Sequence, residues 1–373
     1  MVYISYLKGI HRSTGPGRVA RQLTEHFSAH GKVNLRVLGN REQKDEMVPK
    51  VGLPWTTFDY ELYDLNDSLR RYLWYLFRTP AAESYWRDVD LIYSTGEAYV
   101  PTRQVPLAVT VHDAAFFESD RRAHKGQWLQ RSKWRLLYRR LSKTADLFHT
   151  VSSFSAERIA HFFPALKDRL CVVPNAVAPQ FFEDVPDEGI AYLRTMELDR
   201  RPFVLLPRGL HYRKNADLVL DAWPKIREAN PDTLLVVTSH NDPEYVQKAR
   251  EQMEESVVIT DFVSDAALHA LYSAAVLTWM PSRYEGFGLP VLEAMAQGTP
   301  VVASNASALP EVAGDAAMLL PVDQPDEHVD AIHALIHDEG KQEALGQAGQ
   351  KRAQKFTWAQ STEKLLKEFQ RLV

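Results

Sequence analysis

Short apolar runs alternate with longer amphipathic stretches along the whole chain. In the second half, runs at 203–207, 234–239, 257–262, 276–280 and 300–304 predict strands. Helices are predicted at 215–228, 243–255, 265–274 and 290–297. Runs that are apolar at nearly every position belong to parallel strands covered on both faces. Their alternation with helices gives a doubly wound α/β domain. The first half repeats this with longer insertions: strands at 2–7, 33–38, 91–94, 107–112, 147–151 and 170–173, and helices at 18–30, 127–145 and 155–163. The aromatic-rich stretch 42–86 shows neither period and reads as irregular. Between the halves, the segment from Pro179 to Gly189 is rich in proline and acids, as linkers are. The expected organisation is a first domain over 1–184, a second over 185–356 and a final helix over 357–373.

Composition narrows the class. The chain of 373 residues can bury two cores without disulfides or metals. A net charge of −4 argues against general nucleic-acid binding. The single cysteine, Cys171, allows neither an intrachain bridge nor a C-x-x-C metal site. Within Leu170-Cys-Val-Val173 it reads as a small buried hydrophobe. No apolar run reaches the roughly 18–20 residues of a membrane span. The opening, Met1 to Lys8, lacks the layout of a signal peptide and reads as a strand. The expected location is the cytoplasm, or the inner face of a membrane.

The most informative stretch is Met280-Pro-Ser-Arg-Tyr-Glu-Gly-Phe-Gly-Leu-Pro-Val-Leu-Glu-Ala-Met-Ala-Gln-Gly-Thr-Pro300. It reads as strand, glycine-containing loop, helix, turn. Gly286 and Gly288 let the backbone approach a ligand. Pro290 suits a first helical turn. Free amides near Gly288 and Leu289 then face out of a helix N-terminus, which attracts anions. Glu285 on the loop and Glu293 about one turn into the helix flank that point. Amides for phosphate and carboxylates for hydroxyls suit a sugar diphosphate. Taken alone, Glu-Gly-Phe-Gly fits a capped strand-to-helix turn equally well.

Taken whole, the stretch resembles the E-x7-E region of retaining GT-B glycosyltransferases of family 4, with Glu285 and Glu293 at the family spacing. The likeness continues from Val301 to Gly314, covers most of 200–360 and extends more loosely over the first half. It implies two Rossmann-like domains facing each other across a cleft, with the last helix crossing back to the first. It also implies transfer of a hexose from a nucleoside diphosphate sugar to the hydroxyl of a glycan or glycolipid, with retention and without a metal or other cofactor. No carboxylate stands out as a nucleophile, so a front-face displacement is expected, the leaving phosphate taking the acceptor proton. A GDP- or UDP-linked donor fits. Likeness to mannosyltransferases of bacterial surface polysaccharides makes GDP-mannose the first expectation. Two other readings stay open: a GT-B sugar-nucleotide epimerase and a non-catalytic sugar-nucleotide-binding protein.

The resemblance assigns further residues. Arg208 and Lys214, in Leu206-Pro-Arg-Gly-Leu-His-Tyr-Arg-Lys-Asn215, match cations that hold the donor phosphates, although Pro207 stands where relatives often carry glycine. Arg213 reads as solvated. Phe287, Gly288 and Leu289 fall at the donor, and Phe262 and Val263 at its base, through the backbone. His112, ending the strand at 107–112, matches a histidine near sugar and acceptor, with Asp113 orienting it or touching the acceptor. Gly15 and Gly17 resemble a glycine pair that approaches the donor phosphate or the acceptor. Asn175 resembles part of a structural turn. Asp88-Val-Asp90 has the D-x-D form of some metal sites but opens its strand at the amino end, away from the expected cleft.

The helix at 127–145 carries an apolar stripe of Trp134, Leu137, Tyr138, Leu141 and Ala145. Its other face holds Arg131, Lys133, Arg135, Arg139, Arg140 and Lys143, with Leu129 and Leu136 among them. Such a face is either simply solvated or docks on an anionic membrane.

Overall fold

Buried aliphatic runs build two parallel sheets. The computed structural model describes residues 2–4, 15–31, 33–64, 67–85, 88–118 and 128–373. The first sheet contains β1 (Val2–Ile4), β2 (Arg36–Asn40), β3 (Asp59–Tyr63), β4 (Ile92–Ser94), β5 (Leu107–Thr110), β6 (Leu147–Thr150) and β7 (Leu170–Val172). Its order is β3-β2-β1-β4-β5-β6-β7. The second contains β8 (Phe203–Leu206), β9 (Leu234–Val237), β10 (Val257–Ile259), β11 (Leu277–Met280), β12 (Val301–Ser304) and β13 (Met318–Leu320). Its order is β10-β9-β8-β11-β12-β13. Strand order reverses between β1 and β4 and between β8 and β11. In such sheets, ligands bind beyond the carboxyl ends of the strands at the reversal.

Two compact units hold these sheets: one of Met1–Asn175 with Trp358–Val373, the other of Ala176–Thr357. The division therefore falls ahead of the segment expected to be a linker. Ala176 and Val177 are buried, the Val177 amide donates to the Phe356 carbonyl, and Phe181 is fully buried, edge-on to Tyr272, its carbonyl accepting from Gln297 Nε2 at 2.6 Å. Composition suggests a linker there, but these contacts anchor the segment in the second unit. The helix Trp358–Gln370 belongs to the first unit. Phe369 stacks on Phe27 and meets Tyr93 at 5.0 Å, and Ser361 Oγ donates to the Pro174 carbonyl at 2.7 Å.

The stretch 42–86 is more regular than its pattern suggests. It contains most of the helix Arg41–Val51, the edge strand β3 and the helix Asp67–Phe77. The first buries only Met47 and Val48 and contains Pro49. No buried-face period forms from two residues. Among the described residues, no helix is long and apolar enough to cross a membrane.

Both cores contain a neutral histidine. In the second, Trp279 Nε1 donates to His328 Nδ1 at 3.0 Å, and His328 Nε2 faces the Pro321 carbonyl. In the first, His149 Nε2 faces the Val173 carbonyl at 3.0 Å and so carries the proton. Its Nδ1 faces the hydroxyls of Tyr93 and Thr110 at 3.0 Å and 3.1 Å, and since these bond each other at 2.7 Å, one of them donates to it. Burial pulls His149 down to about 4, from an ordinary value of 6.5. Between those values the unfolded chain binds the extra proton, so acid favours unfolding. Unfolding free energy should fall as pH drops from 6.5 toward 4, by up to about 1.4 kcal/mol per pH unit for this group. Urea titrations at pH 7 and pH 5 should show the loss, and His149→Gln should reduce the difference.

Candidate active site

The second unit gathers its polar chemistry beyond β8 and β11. After β8 the chain turns through Arg208 (φ 84°) and Gly209 (φ 78°), then makes a tight turn at Tyr212–Lys214. Asn215, left-handed at φ 62°, precedes the helix Ala216–Ala229, and its Nδ2 donates to the Val322 carbonyl at 2.7 Å. After β11 the loop runs to Gly288 and the helix Leu289–Ala296. Gly288 has φ 113°, a backbone conformation that favours glycine, and a Cβ there would crowd Leu309 Cδ2 at 2.8 Å.

The two loops are joined by a buried ion pair: Lys214 Nζ donates to Glu285 Oε1. Ser282 Oγ donates to the same oxygen at 2.9 Å, and the Glu285 amide donates to Ser307 Oγ at 2.9 Å. None of the described hydrogen bonds ends on Glu285 Oε2. Burial pulls Lys214 down to about 8 against the pull of Glu285, with the Arg213 and Arg208 charges adding to the fall. Burial would raise Glu285, but the charges of Lys214 and Arg213 and the bonds from Lys214 and Ser282 outweigh it and hold the carboxyl below its usual range. Arg213 is exposed, as expected, yet its field reaches both partners.

Glu293 lies in the helix Leu289–Ala296, only 2% exposed, and Tyr272 OH donates to its Oε2 at 3.0 Å. The side chains of Phe287 and Leu289 are buried, Phe287 edge-on to Phe356, so only their backbone can meet a ligand. Phe262 is 55% exposed and Val263 half-buried. A cavity of about 630 Å³ opens beside the ends of β9 and β10, lined by His240, Asn241, Thr260 and Asp261 among others. Arg208, Lys214 and the two glutamates do not line it.

In the first unit, Gly15 and Gly17 begin the helix Gly15–Ala29, while the rest of their loop, 9–14, lies outside the described residues. A Cβ at Gly15 would meet nothing within 4 Å. The His112 amide donates to Glu97 Oε1 at 2.9 Å, and its buried Nε2 has no hydrogen-bond partner. No described hydrogen bond joins Asp113 to it: Asp113 Oδ1 accepts from the Ala115 amide at 2.8 Å, at the start of the turn Ala115–Phe117. Local backbone geometry takes the carboxylate that the sequence offers to the imidazole. Asp88 is held by Arg36 at 3.1 Å and 3.3 Å. Among the described residues, no group of three or more His, Cys, Asp or Glu is placed to hold a metal ion.

The basic helix spans Trp128–Leu141, Gln127 lying outside the described residues. Its face is less uniform than its sequence. Arg131 turns inward to the carbonyls of Phe117 and Glu118, and Arg140 to that of Tyr75. Lys133, Arg135, Leu136, Arg139 and Lys143 stay exposed.

Sequence reasoning missed Ser282, Ser307, Tyr272 and Glu97. Tyr272 follows Leu268 and Leu271 in a helical apolar stripe and is indistinguishable from core. The serines carry no spacing signal of their own. Removing the cation from the buried pair tests the electrostatics directly. Lys214→Met should cost about 3–5 kcal/mol in chemical denaturation, because Glu285 is left buried and unpaired. Adding Glu285→Gln should recover most of the loss.

Comparisons with known proteins bear on the family and the fold. The family model for glycosyl transferases group 1 matches residues 195–352, and that for Glycosyltransferase Family 4 matches 13–181. The chain is 30% identical over 295 residues to O-antigen chain mannosyltransferase B of Escherichia coli, covering 76% of this chain and 75% of that protein. It is 28% identical to the MMP alpha-(1->4)-mannosyltransferase of Mycolicibacterium hassiacum, covering 73% and 68%. Among solved structures it resembles WaaG, a glycosyltransferase involved in lipopolysaccharide biosynthesis (TM-score 0.71, 17% identity, 99% of both chains). It also resembles Anabaena Alr3699/HepE in complex with UDP and glucose (TM-score 0.74, 17% identity, 100% and 99% covered). At that identity the structures speak for the fold alone.

Proposed function

The chain belongs to glycosyltransferase family 4 and has the GT-B fold, and from that premise we propose that it transfers mannose from GDP-mannose to a glycan or glycolipid hydroxyl, retaining the anomeric configuration and needing no metal. The observation that carries this is the buried Lys214–Glu285 pair at the strand reversal of the second unit, with Arg208 beside it. Mannose is favoured by the two mannosyltransferase relatives. The family assignment disfavours the epimerase and the purely binding protein.

Arg208 and Lys214 take the diphosphate, and the amides at Phe287, Gly288 and Leu289 add donors at the helix start. Phe262 and Val263 meet the base through the backbone. Glu293, steadied by Tyr272, takes the ribose diol. Glu285 spends Oε1 on Lys214 and Ser282, leaving Oε2 for a sugar hydroxyl. Gly15, Gly17 and His112 serve the sugar and acceptor; the unpartnered His112 Nε2 suits a hydroxyl. The sugar–phosphate bond breaks and the acceptor oxygen bonds the anomeric carbon on the same face. The acceptor proton passes to the departing phosphate oxygen. Arg208 and Lys214 neutralise the charge developing on that phosphate, so no divalent ion is required.

A donor panel tests this reading. GDP should be released from GDP-mannose faster than UDP from UDP-hexoses, in excess EDTA as well as without it. Arg208→Ala should lower turnover by about 10²–10³-fold, as for loss of one transition-state donor. Loss of activity with EDTA, restored by Mg²⁺ or Mn²⁺, contradicts the metal-free reading.

The first unit is also proposed to rest on an anionic membrane at the cytoplasmic face. Leu129 and Leu136 are exposed among Lys133, Arg135 and Arg139. Through Arg140 and the Tyr75 carbonyl, at 3.0 Å, this helix adjoins Asp67–Phe77, which exposes Leu69, Tyr72, Leu76 and Phe77. Apolar side chains between cations suit a bilayer interface, each cation contributing about 1 kcal/mol near anionic lipid. The protein should co-sediment with phosphatidylserine vesicles but not neutral ones, less so at high salt. Changing Lys133, Arg135 and Arg139 together to Glu should abolish sedimentation and leave the fold intact; absence of binding at low salt rejects the surface.

A further inference from the structure

The phosphate-site loop after β8 is held in an unfavourable shape by a neighbour that no motif marks. Arg208 has φ 84°, Gly209 φ 78° and, at the end of β9, Ser239 has φ 86°. For arginine and serine that left-handed backbone carries strain. At Gly209 there is no alternative to glycine, because a Cβ would lie 1.9 Å from the His240 carbonyl oxygen. The two strand-end turns thus press backbone against backbone, and something must hold them there.

Asn241 does so. Its Oδ1 accepts from the Leu210 amide at 2.7 Å. Its Nδ2 donates to the Ser239 carbonyl at 2.8 Å and to the Thr260 carbonyl at 3.3 Å. One amide side chain therefore spans the carboxyl ends of β8, β9 and β10. Its orientation is set by its partners, since an N–H needs the oxygen and the carbonyls need the nitrogen. The main chain completes the clamp. The Asp242 amide donates to the Leu210 carbonyl at 2.9 Å, so both backbone groups of Leu210 are held by consecutive residues. The Ser239 amide donates to the Asp261 carbonyl at 3.1 Å. Within the β8 loop, His211 Nε2 donates to the Arg208 carbonyl at 2.8 Å, and burial keeps that ring neutral. Leu210 is two residues from Arg208, so a hold on Leu210 sets where the Arg208 side chain starts.

We infer that Asn241 is a positioning residue for the donor: it locks the strained turn that carries Arg208 to the strand end leading to Phe262, so that the phosphate and base contacts are fixed relative to each other before nucleotide binds. This rests on the assignment of Arg208 to the donor phosphates. No side chain that is merely part of the core would couple to Arg208 in this way. Asparagine alone supplies one acceptor and two donors at this reach; aspartate would set a carboxylate against two carbonyls.

A double-mutant cycle read by calorimetry, with GDP and UDP as probes, tests the inference. Asn241→Ala should weaken binding of the better nucleotide about ten-fold in the wild-type background, and less than about two-fold in Arg208→Ala, because coupled residues are non-additive. Ser239→Gly removes the cost of the left-handed turn at one of the two strained residues. Added to Asn241→Ala, it should restore part of the affinity, and it supplies a second, less strained protein should Asn241→Ala alone fold poorly. The same penalty from Asn241→Ala in both backgrounds, or none in the wild type, overturns the positioning role while leaving Arg208 at the phosphate. If Arg208→Ala itself leaves nucleotide affinity unchanged, the phosphate assignment fails first and this inference with it.

Discussion

A lysine ammonium buried against a glutamate is the interaction on which the second unit's strand-end loops depend. Lys214 comes from the β8 side of the strand reversal and Glu285 from the β11 side. Neither charge can be buried alone without a cost of several kcal/mol, so the loops must meet. The pair itself gains little net stability, since both ions surrender water. What it secures is geometry: the Glu285 amide is tied to Ser307, its Oε1 to Ser282, and the chain leaving it turns through Gly288 into a helix. Arg213 and Arg208 lie close enough for their charges to act on Lys214.

Much of this was legible in the sequence, for identifiable reasons. A parallel strand buried on both faces is apolar at nearly every position, so β8, β9, β11 and β12 stand out from composition alone. E-x7-E, the glycines between and Pro290 announce a strand-loop-helix with carboxylates on either side. The edge of the first sheet was not legible because β3, Asp59-Tyr-Glu-Leu-Tyr63, is only partly buried and carries two acids. The polar helix before it buries two side chains, too few to show a period. The unit boundary is not legible because proline and acid mark linkers on average, whereas here Ala176, Val177 and Phe181 are all buried.

The candidate site divides along the same line. Charged candidate residues are visible because they are out of place beside apolar strands; the residues bonded to them look ordinary. Tyr272 hides in a core stripe, Ser282 and Ser307 in a loop, and Asn241 in a polar turn after β9. Asp113 shows the converse. Its adjacency to His112 suggests a pair, but the nearest backbone amide, on Ala115, satisfies the carboxylate first. Adjacent residues at a strand end point in different directions, and chain proximity says little about which donor wins.

Preorganisation explains why strain accumulates at this one edge of the fold. A diphosphate needs its donors placed before it arrives, because loops that reorganise around each charged ligand lose binding energy to ordering. Left-handed turns at Arg208, Gly209 and Ser239 fall at the ends of β8 and β9, beside the strand reversal. The sheet offsets their cost with hydrogen bonds: Asn241 to three strand ends, Asp242 to Leu210, Lys214 to Glu285. On the proposed reading, Lys214 would meet a phosphate with an ammonium already desolvated, and Glu285 Oε2 would be left for a sugar hydroxyl. Charge, strain and burial, each unfavourable alone, are thus concentrated at the strand ends where the proposed nucleotide sugar would bind.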